Sequence, residues 1–331
     1  MTDQASYGER SEVNWQLGET TVYGTLLRPV GPGPFPAVVM VAGSGPTDRD
    51  WNSPLLPGSN GSARLLAEAL AQAGIASLRY DKRGVGPHAR ETLPLLIGKV
   101  SMQSFADEVA GAVRVMASQE YIRPGQIFAL ANSEGTLHVL NYQLHSPEIP
   151  FAGLVLTGPP GRAVGAVAHS QLAAQASHVL NGDTLLALYD AAIARFLAEE
   201  PMAPDPGLPE GVQTLLKSLE TPANLPFARE LWTADAAPLL RQVDIPVLVV
   251  IGKKDIQIDW QADGEPLKRA AAGQENVTFL FPENANHVLK EELRPRSELV
   301  AAEITESYNG PDTRLDPEAL ASMLAWLAAH A

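Results

Sequence analysis

The residues best placed to do chemistry are Ser133, Asp255 and His287. Ser133 lies in Ala131-Asn132-Ser133-Glu134-Gly135, where an apolar run ends and helical sequence begins at once. A serine on so sharp a turn needs small neighbours two residues before and two after, because any larger side chain would meet the adjoining backbone. Ala131 and Gly135 meet that need, which is the pattern of a nucleophile elbow. The competing reading of Ser133 is a plain helix N-cap. Asp255 follows another apolar run in Gly252-Lys253-Lys254-Asp255, and His287 closes the loop Pro282-Glu283-Asn284-Ala285-Asn286-His287. Spacings of 122 and 32 residues put one polar group after each of three separate runs. Serine is a weak nucleophile at neutral pH, so His287 would act as general base and then protonate the leaving group. Asp255 would hold the imidazole tautomer and stabilise the imidazolium. Taken singly, Asp255 reads equally as a turn residue and His287 as a structural histidine.

Acyl transfer also needs N–H donors aimed at the developing oxyanion. The backbone N–H of Glu134, opening the helix after the serine, supplies one. The second is expected from the loop Gly43-Ser44-Gly45-Pro46-Thr47-Asp48-Arg49-Asp50, at Ser44 with Gly43 as the alternative. A phosphate-cradling reading of the same glycines fails, since Pro46 has no N–H and no Gly-Lys-Ser/Thr follows. Glu134 is expected either to raise the pKa of His287 or to pair with a basic neighbour, with pairing preferred. Asp81, Lys82 and Arg83 read as ion pairs that fix a loop. His138, His145, His169 and His178 lack a further ligand at metal spacing, so no metal site and no cofactor are expected.

These side chains must be held by a sheet. Apolar runs at 37–42, 75–80, 127–131, 152–157, 246–251 and 277–281 are apolar on both faces, the habit of buried parallel strands. Two alternating runs around Gly18-Glu19-Thr20 form an N-terminal hairpin. Helical stripes fill the gaps: Leu65, Leu66, Ala69, Leu70 and Ala73 after a capping Ser62, then Phe105, Val109, Val113 and Met116, then Leu137, Leu140 and Leu144, and finally Leu320 to Leu327 capped by Asp316. Strand and helix in alternation predict an α/β fold with a mostly parallel, doubly wound sheet. Almost ninety residues between 157 and 246 carry helical sequence interrupted by the breaker run at 201–209, and read as a helical cap inserted before the acid-bearing strand. The division is therefore core 1–160, cap 161–241 and core 242–331.

The chain resembles the α/β-hydrolase superfamily, specifically bacterial serine esterases with a helical cap. The resemblance rests on Thr25-Leu26-Leu27-Arg28-Pro29, the loop 43–50, Leu78-Arg79-Tyr80-Asp81-Lys82-Arg83-Gly84-Val85-Gly86, the Ser133 elbow, Gly252-Lys253-Lys254-Asp255 and Asn286-His287. The order Ser, acid, His is that of the fold. The resemblance implies cofactor-free cleavage of carboxylic esters or thioesters through Ser133, Asp255 and His287. Ala131 replaces the usual Gly, Thr136 a frequent second Gly and Ala42 a frequent His, departures that bear on substrate preference and remove no reacting group.

Composition bounds the rest. The chain has 331 residues and no cysteine, which excludes thiol nucleophiles, thiolate metal sites and disulfides. A formal charge of -14 argues against nucleic acid or anionic membrane as partner and leaves a small acyl ester as the expected one. The first fifteen residues show no basic-then-apolar leader, and the expected location is cytoplasmic. Beside ester cleavage stand a thioesterase or peptidase using the same residues, and a non-catalytic protein enclosing a small apolar ligand under the cap.

Overall fold

The computed structural model of the chain describes residues 7–331 apart from Ser146; of the stretch expected to carry no leader, positions 1–6 lie outside the described residues. Strands β1 (Glu9–Leu17) and β2 (Thr20–Arg28) form the hairpin, turning at Gly18 in the left-handed region with φ 57°. The apolar runs become β3 (Phe35–Val41), β4 (Ala76–Tyr80), β5 (Ile122–Asn132), β6 (Leu154–Thr157), β7 (Val247–Val250) and β8 (Val277–Leu280). All eight strands join one sheet in the order β1-β2-β4-β3-β5-β6-β7-β8. β2 runs antiparallel to both neighbours, and β3 to β8 are parallel.

The helices are α1 (Ser62–Gln72), α2 (Ala89–Leu96), α3 (Met102–Ala117), α4 (Glu134–Leu144), α5 (Val164–Ala176), α6 (Gly182–Leu197), α7 (Glu210–Leu219), α8 (Phe227–Thr233), α9 (Ala236–Leu240), α10 (Gly264–Ala270), α11 (Ile304–Asn309) and α12 (Pro317–His330). Strand residues alternate between two cores because successive side chains point to opposite faces. Val39, Val41, Ala129 and Leu156 pack with α3, α4, α9 and α10 on one face, while Val38, Met40, Leu130 and Val155 pack with α1 and α12 on the other. Strands apolar on both faces are what this double cover demands. From β3 the chain crosses first to β4 on one side and later to β5 on the other. The carboxyl ends of β3 and β5 therefore flank a switch point, where open α/β sheets bind ligands.

One capping expectation fails. Ser62 is the first residue of α1 rather than its cap; Gly61, with φ 64°, holds the cap position, and Asn60 Oδ1 accepts the Ser62 N–H at 2.9 Å. Asn60 forms the turn instead, because an Asx side chain can serve the N–H two residues on. Asp316 does cap α12, accepting from the Ala319 N–H at 2.8 Å.

Between β6 and β7 the structure holds α5 to α9 and no strand of the sheet. Tyr189, Phe196, Met202, Leu216 and Trp232 make a separate apolar cluster there, whereas Ala236 and Leu240 of α9 pack into the core under the sheet. This region is tied down along two sides. Gly98 N–H donates to Pro222 O at 2.7 Å, Phe227 N–H to Val100 O at 3.0 Å and Met102 N–H to Glu230 Oε2 at 2.6 Å. On the other side Arg162 forks onto buried Asp263 at 3.0 and 2.9 Å, and Gln171 Nε2 donates to Gln257 O at 2.8 Å. Among the described residues no helix is long and apolar enough to cross a membrane.

Candidate active site

Ser133 occupies the turn between β5 and α4 with φ 54° and ψ −124°, a conformation that costs a non-glycine residue of order 1–3 kcal/mol. It stands at the helix N-cap position, yet its side chain makes no capping hydrogen bond, so the hydroxyl is not spent on the plain structural role. The backbone is clamped instead. Ser133 N–H donates to Thr157 O at 2.8 Å, and Ser133 O accepts from the Thr136 hydroxyl at 2.6 Å. Gly135 is required by contact: a Cβ there would lie 2.6 Å from Ala42 O and 2.8 Å from Val41 O. Ala131, on the other small position, is fully buried among the α3–α4 side chains, and its methyl finds room.

Asp255 and His287 are brought together. His287 Nδ1 lies 2.7 Å from Asp255 Oδ2, and the two side chains are 5% and 1% exposed. Asp255 Oδ1 accepts the N–H groups of Gln257 and Ile258 at 2.8 and 2.9 Å, which fixes the carboxylate in the tight turn after β7. Asn286 does the same for the histidine loop, its Oδ1 accepting Val288 N–H at 3.1 Å and Lys290 N–H at 2.9 Å. With Nδ1 committed to the carboxylate, Nε2 is the nitrogen left for a reacting hydroxyl. The buried charge of Asp255 also reaches Tyr308, whose phenol is held well above its usual range by burial first and by Asp255 second.

Two residues that the sequence reading passed over join the elbow to this pair. Asn132, next to the serine, donates through Nδ2 to His287 O at 3.0 Å and to Thr157 Oγ1 at 3.1 Å. Gly158 follows the Thr157 that clamps Ser133. Its φ is 57°, and a Cβ there would stand 3.1 Å from His287 Cε1 and 3.5 Å from Asp255 Oδ2. The signal was present in Thr157-Gly158-Pro159-Pro160, a glycine directly after a buried run, which marks either a turn or a close approach.

The loop after β3 crosses the serine: a Cβ on Gly43 would lie 3.1 Å from Ser133 Cβ. Ser44 next to it is exposed. Glu134, though only 4% exposed, keeps its carboxylate ionised. Burial pushes its pKa up, but Lys82 and hydrogen bonds from His138 and Ser44 outweigh burial and bring it down to about 2. The preferred pairing of Glu134 is thus made, to Lys82 Nζ at 3.5 Å and to His138 Nε2 at 3.1 Å. Asp81 and Arg83 also form loop-fixing pairs. Arg49 forks onto Asp81 at 3.1 and 2.7 Å, and Arg83 Nε meets Glu108 at 2.9 Å.

Comparison with known proteins supports the same architecture. A family model described as serine aminopeptidase, S33, matches residues 59–185. Esterase EstD of Thermotoga maritima is 27% identical over 270 residues, covering 80% of this chain; the chain spans only 57% of that relative's length. Proline iminopeptidase of Mycobacterium smegmatis superposes with a TM-score of 0.56 at 14% identity, covering 97% of this chain and 98% of that one. The Pyrococcus furiosus esterase PF2001 superposes at 0.53 with 15% identity, covering 87% and 86%. At such identities the likeness of structures speaks to the fold.

Proposed function

We propose that the chain, which has the α/β-hydrolase fold, is a serine hydrolase that cleaves carboxylic esters through Ser133, His287 and Asp255 by way of an acyl-enzyme. The observation that carries the reading is the buried 2.7 Å contact of His287 Nδ1 with Asp255 beside a serine held at φ 54° with its hydroxyl uncommitted. His287 Nε2 takes the Ser133 proton as Oγ attacks the ester carbonyl, and the imidazolium formed is stabilised by Asp255. The tetrahedral oxyanion is received by the backbone N–H groups of Glu134 and Ser44. Collapse expels the alcohol, protonated by His287, and water activated by the same imidazole then frees the acid. Every step uses groups of the chain itself.

The helices within 161–241 are the lid of this proposal, since α5 starts six residues after Gly158 and hydrogen-bonds the acid loop through Gln171. The 27% identity to an esterase supports ester over other acyl donors, and the charge of -14 argues against nucleic acid or an anionic membrane as partner. The test combines labelling and kinetics. A fluorophosphonate probe labels Ser133, Ser133→Ala abolishes labelling and lowers hydrolysis of short p-nitrophenyl esters by at least about 10³-fold, and esters are turned over faster than acyl-CoA or aminoacyl amides. A Ser133→Ala enzyme within a few-fold of the parent refutes the reading.

A further inference from the structure

Lys82 was legible only as one of three charged loop residues, and its surroundings give it more to do. It is 4% exposed, and Nζ donates to Gly43 O at 2.6 Å across 39 positions of sequence. Its countercharge is Glu134, the residue directly after the serine, at 3.5 Å. Phe105 covers the ammonium, ring centre 5.6 Å from Nζ, and stacks on His138 at 4.6 Å, so water is kept from the cluster. The ring nitrogen Nδ1 of His138 is buried and has no partner among the described residues, while Nε2 lies 3.1 Å from Glu134 Oε1. The cluster therefore sets the Lys82 ammonium between the Glu134 carboxylate and a backbone carbonyl.

The Gly43 carbonyl and the Ser44 N–H belong to one peptide. That peptide is trans, so the two groups are coplanar and point in opposite directions. An ammonium that grips the carbonyl from the buried side turns the N–H to the open side, where the exposed Ser44 lies and where Gly43 touches Ser133. It also polarises the peptide and makes the N–H a stronger donor. The same ion pair ties this loop to the residue that supplies the other donor, Glu134. We propose that Lys82 is a positioning residue for ester cleavage: through Gly43 O it aims and strengthens the Ser44 N–H toward the oxyanion, and through Glu134 it fixes the spacing of the two donors. The proposal rests on the hydrolase reading above, and it selects Ser44 over Gly43 as the second donor.

Losing one oxyanion donor outright costs about 10²–10³-fold in kcat. A donor left in place but unaimed costs less, about 10- to 100-fold, with KM little changed because the interaction strengthens only in the transition state. Lys82→Met alone strands the buried Glu134 carboxylate, so it is paired with the double variant Lys82→Met/Glu134→Gln, which removes both charges and keeps the volume. Both are measured on a p-nitrophenyl ester, with thermal melts, and with a trifluoromethyl ketone whose adduct carries the oxyanion. The expected result is a folded double variant with kcat down about 10- to 100-fold, KM within threefold, and the ketone Ki raised in the same ratio as kcat/KM falls. A double variant within threefold of the parent in kcat, or one whose ketone Ki does not move, overturns the role of Lys82 while leaving Ser133 labelling and the hydrolase reading intact. Unfolding of both variants overturns it as well, assigning Lys82 to folding. A parent enzyme that neither labels at Ser133 nor cleaves esters overturns the hydrolase reading, and this proposal with it.

Discussion

Asp255→Asn is the substitution whose outcome the geometry fixes most tightly. The two carboxylate oxygens have different duties: Oδ1 accepts two backbone N–H groups at 2.8 and 2.9 Å, and Oδ2 faces His287 Nδ1 at 2.7 Å. An asparagine is nearly isosteric, and its amide oxygen must take the Oδ1 position, where two donors wait. Its NH2 then meets Nδ1, which becomes an acceptor, and the imidazole proton moves to Nε2. An imidazole protonated on Nε2 cannot take a proton from Ser133. The productive flip would set the NH2 against both backbone donors, leaving two buried N–H groups unsatisfied at about 1–3 kcal/mol each. At about 1.4 kcal/mol per decade, the productive fraction is about 1 in 30 to 1 in 10⁴. We therefore expect kcat on p-nitrophenyl acetate to fall by about 30- to 10⁴-fold, the upper figure matching the loss such a tautomer change brings in a serine triad. Circular dichroism and thermal midpoint should barely change, since every backbone bond of the turn survives. A kcat within fivefold of the parent, in a folded variant, would refute both the tautomer argument and the role given to Asp255.

Gly158→Ala should cost stability as well as rate. Its left-handed φ of 57° charges an alanine about 1–2 kcal/mol, read by urea unfolding, and its methyl 3.1 Å from His287 Cε1 should displace the ring enough to lower kcat about 10-fold; an unchanged kcat counts against the close approach. The Glu134 carboxyl, held at about 2 in the folded chain against 4.5 ordinarily, contributes stability that is complete above pH 4.5 and lost as pH falls toward 2. The stability gap between the parent and Glu134→Gln should accordingly narrow by about 1.4 kcal/mol per pH unit below 4.5; a gap that does not depend on pH would contradict the assigned ionisation.

The strands were legible because burial on both faces leaves a continuous apolar run, as at Val38 to Val41 or Val247 to Val250. What hid was whatever depends on a partner distant in sequence. β5 begins at Ile122, five residues before its apolar run, because Ile122 already pairs with Phe35 of β3, and Arg123 to Gln126 bulge from the ladder where the register shifts between Phe35 and Ala37. α2 carries Pro94 in its interior and has no sequence signature to match its helical backbone. In the site, Ser133, Asp255 and His287 were legible because each follows a run that ends, and their order is informative. The Lys82 grip on Gly43 and the Asn132 tie to His287 were not, because lysine and asparagine in polar loops have many ordinary uses and only a three-dimensional neighbour selects among them.

The long connection between adjacent strands β6 and β7 has a consequence for assembly of the molecule. Closing the loop 158–246, about seven times the minimal crossover of a dozen residues, costs about 2 kcal/mol more in chain entropy. The strands on the serine's side, β3 to β6, close over shorter connections and share Val39, Ala129 and Leu154 in one core. That entropy difference favours Ser133 joining the folding sheet before Asp255 and His287, which come with β7 and β8 beyond the long excursion. A chain stalled before that step would hold a strained serine without His287 beside it, so under the proposed mechanism hydrolysis would begin only when the fold is complete.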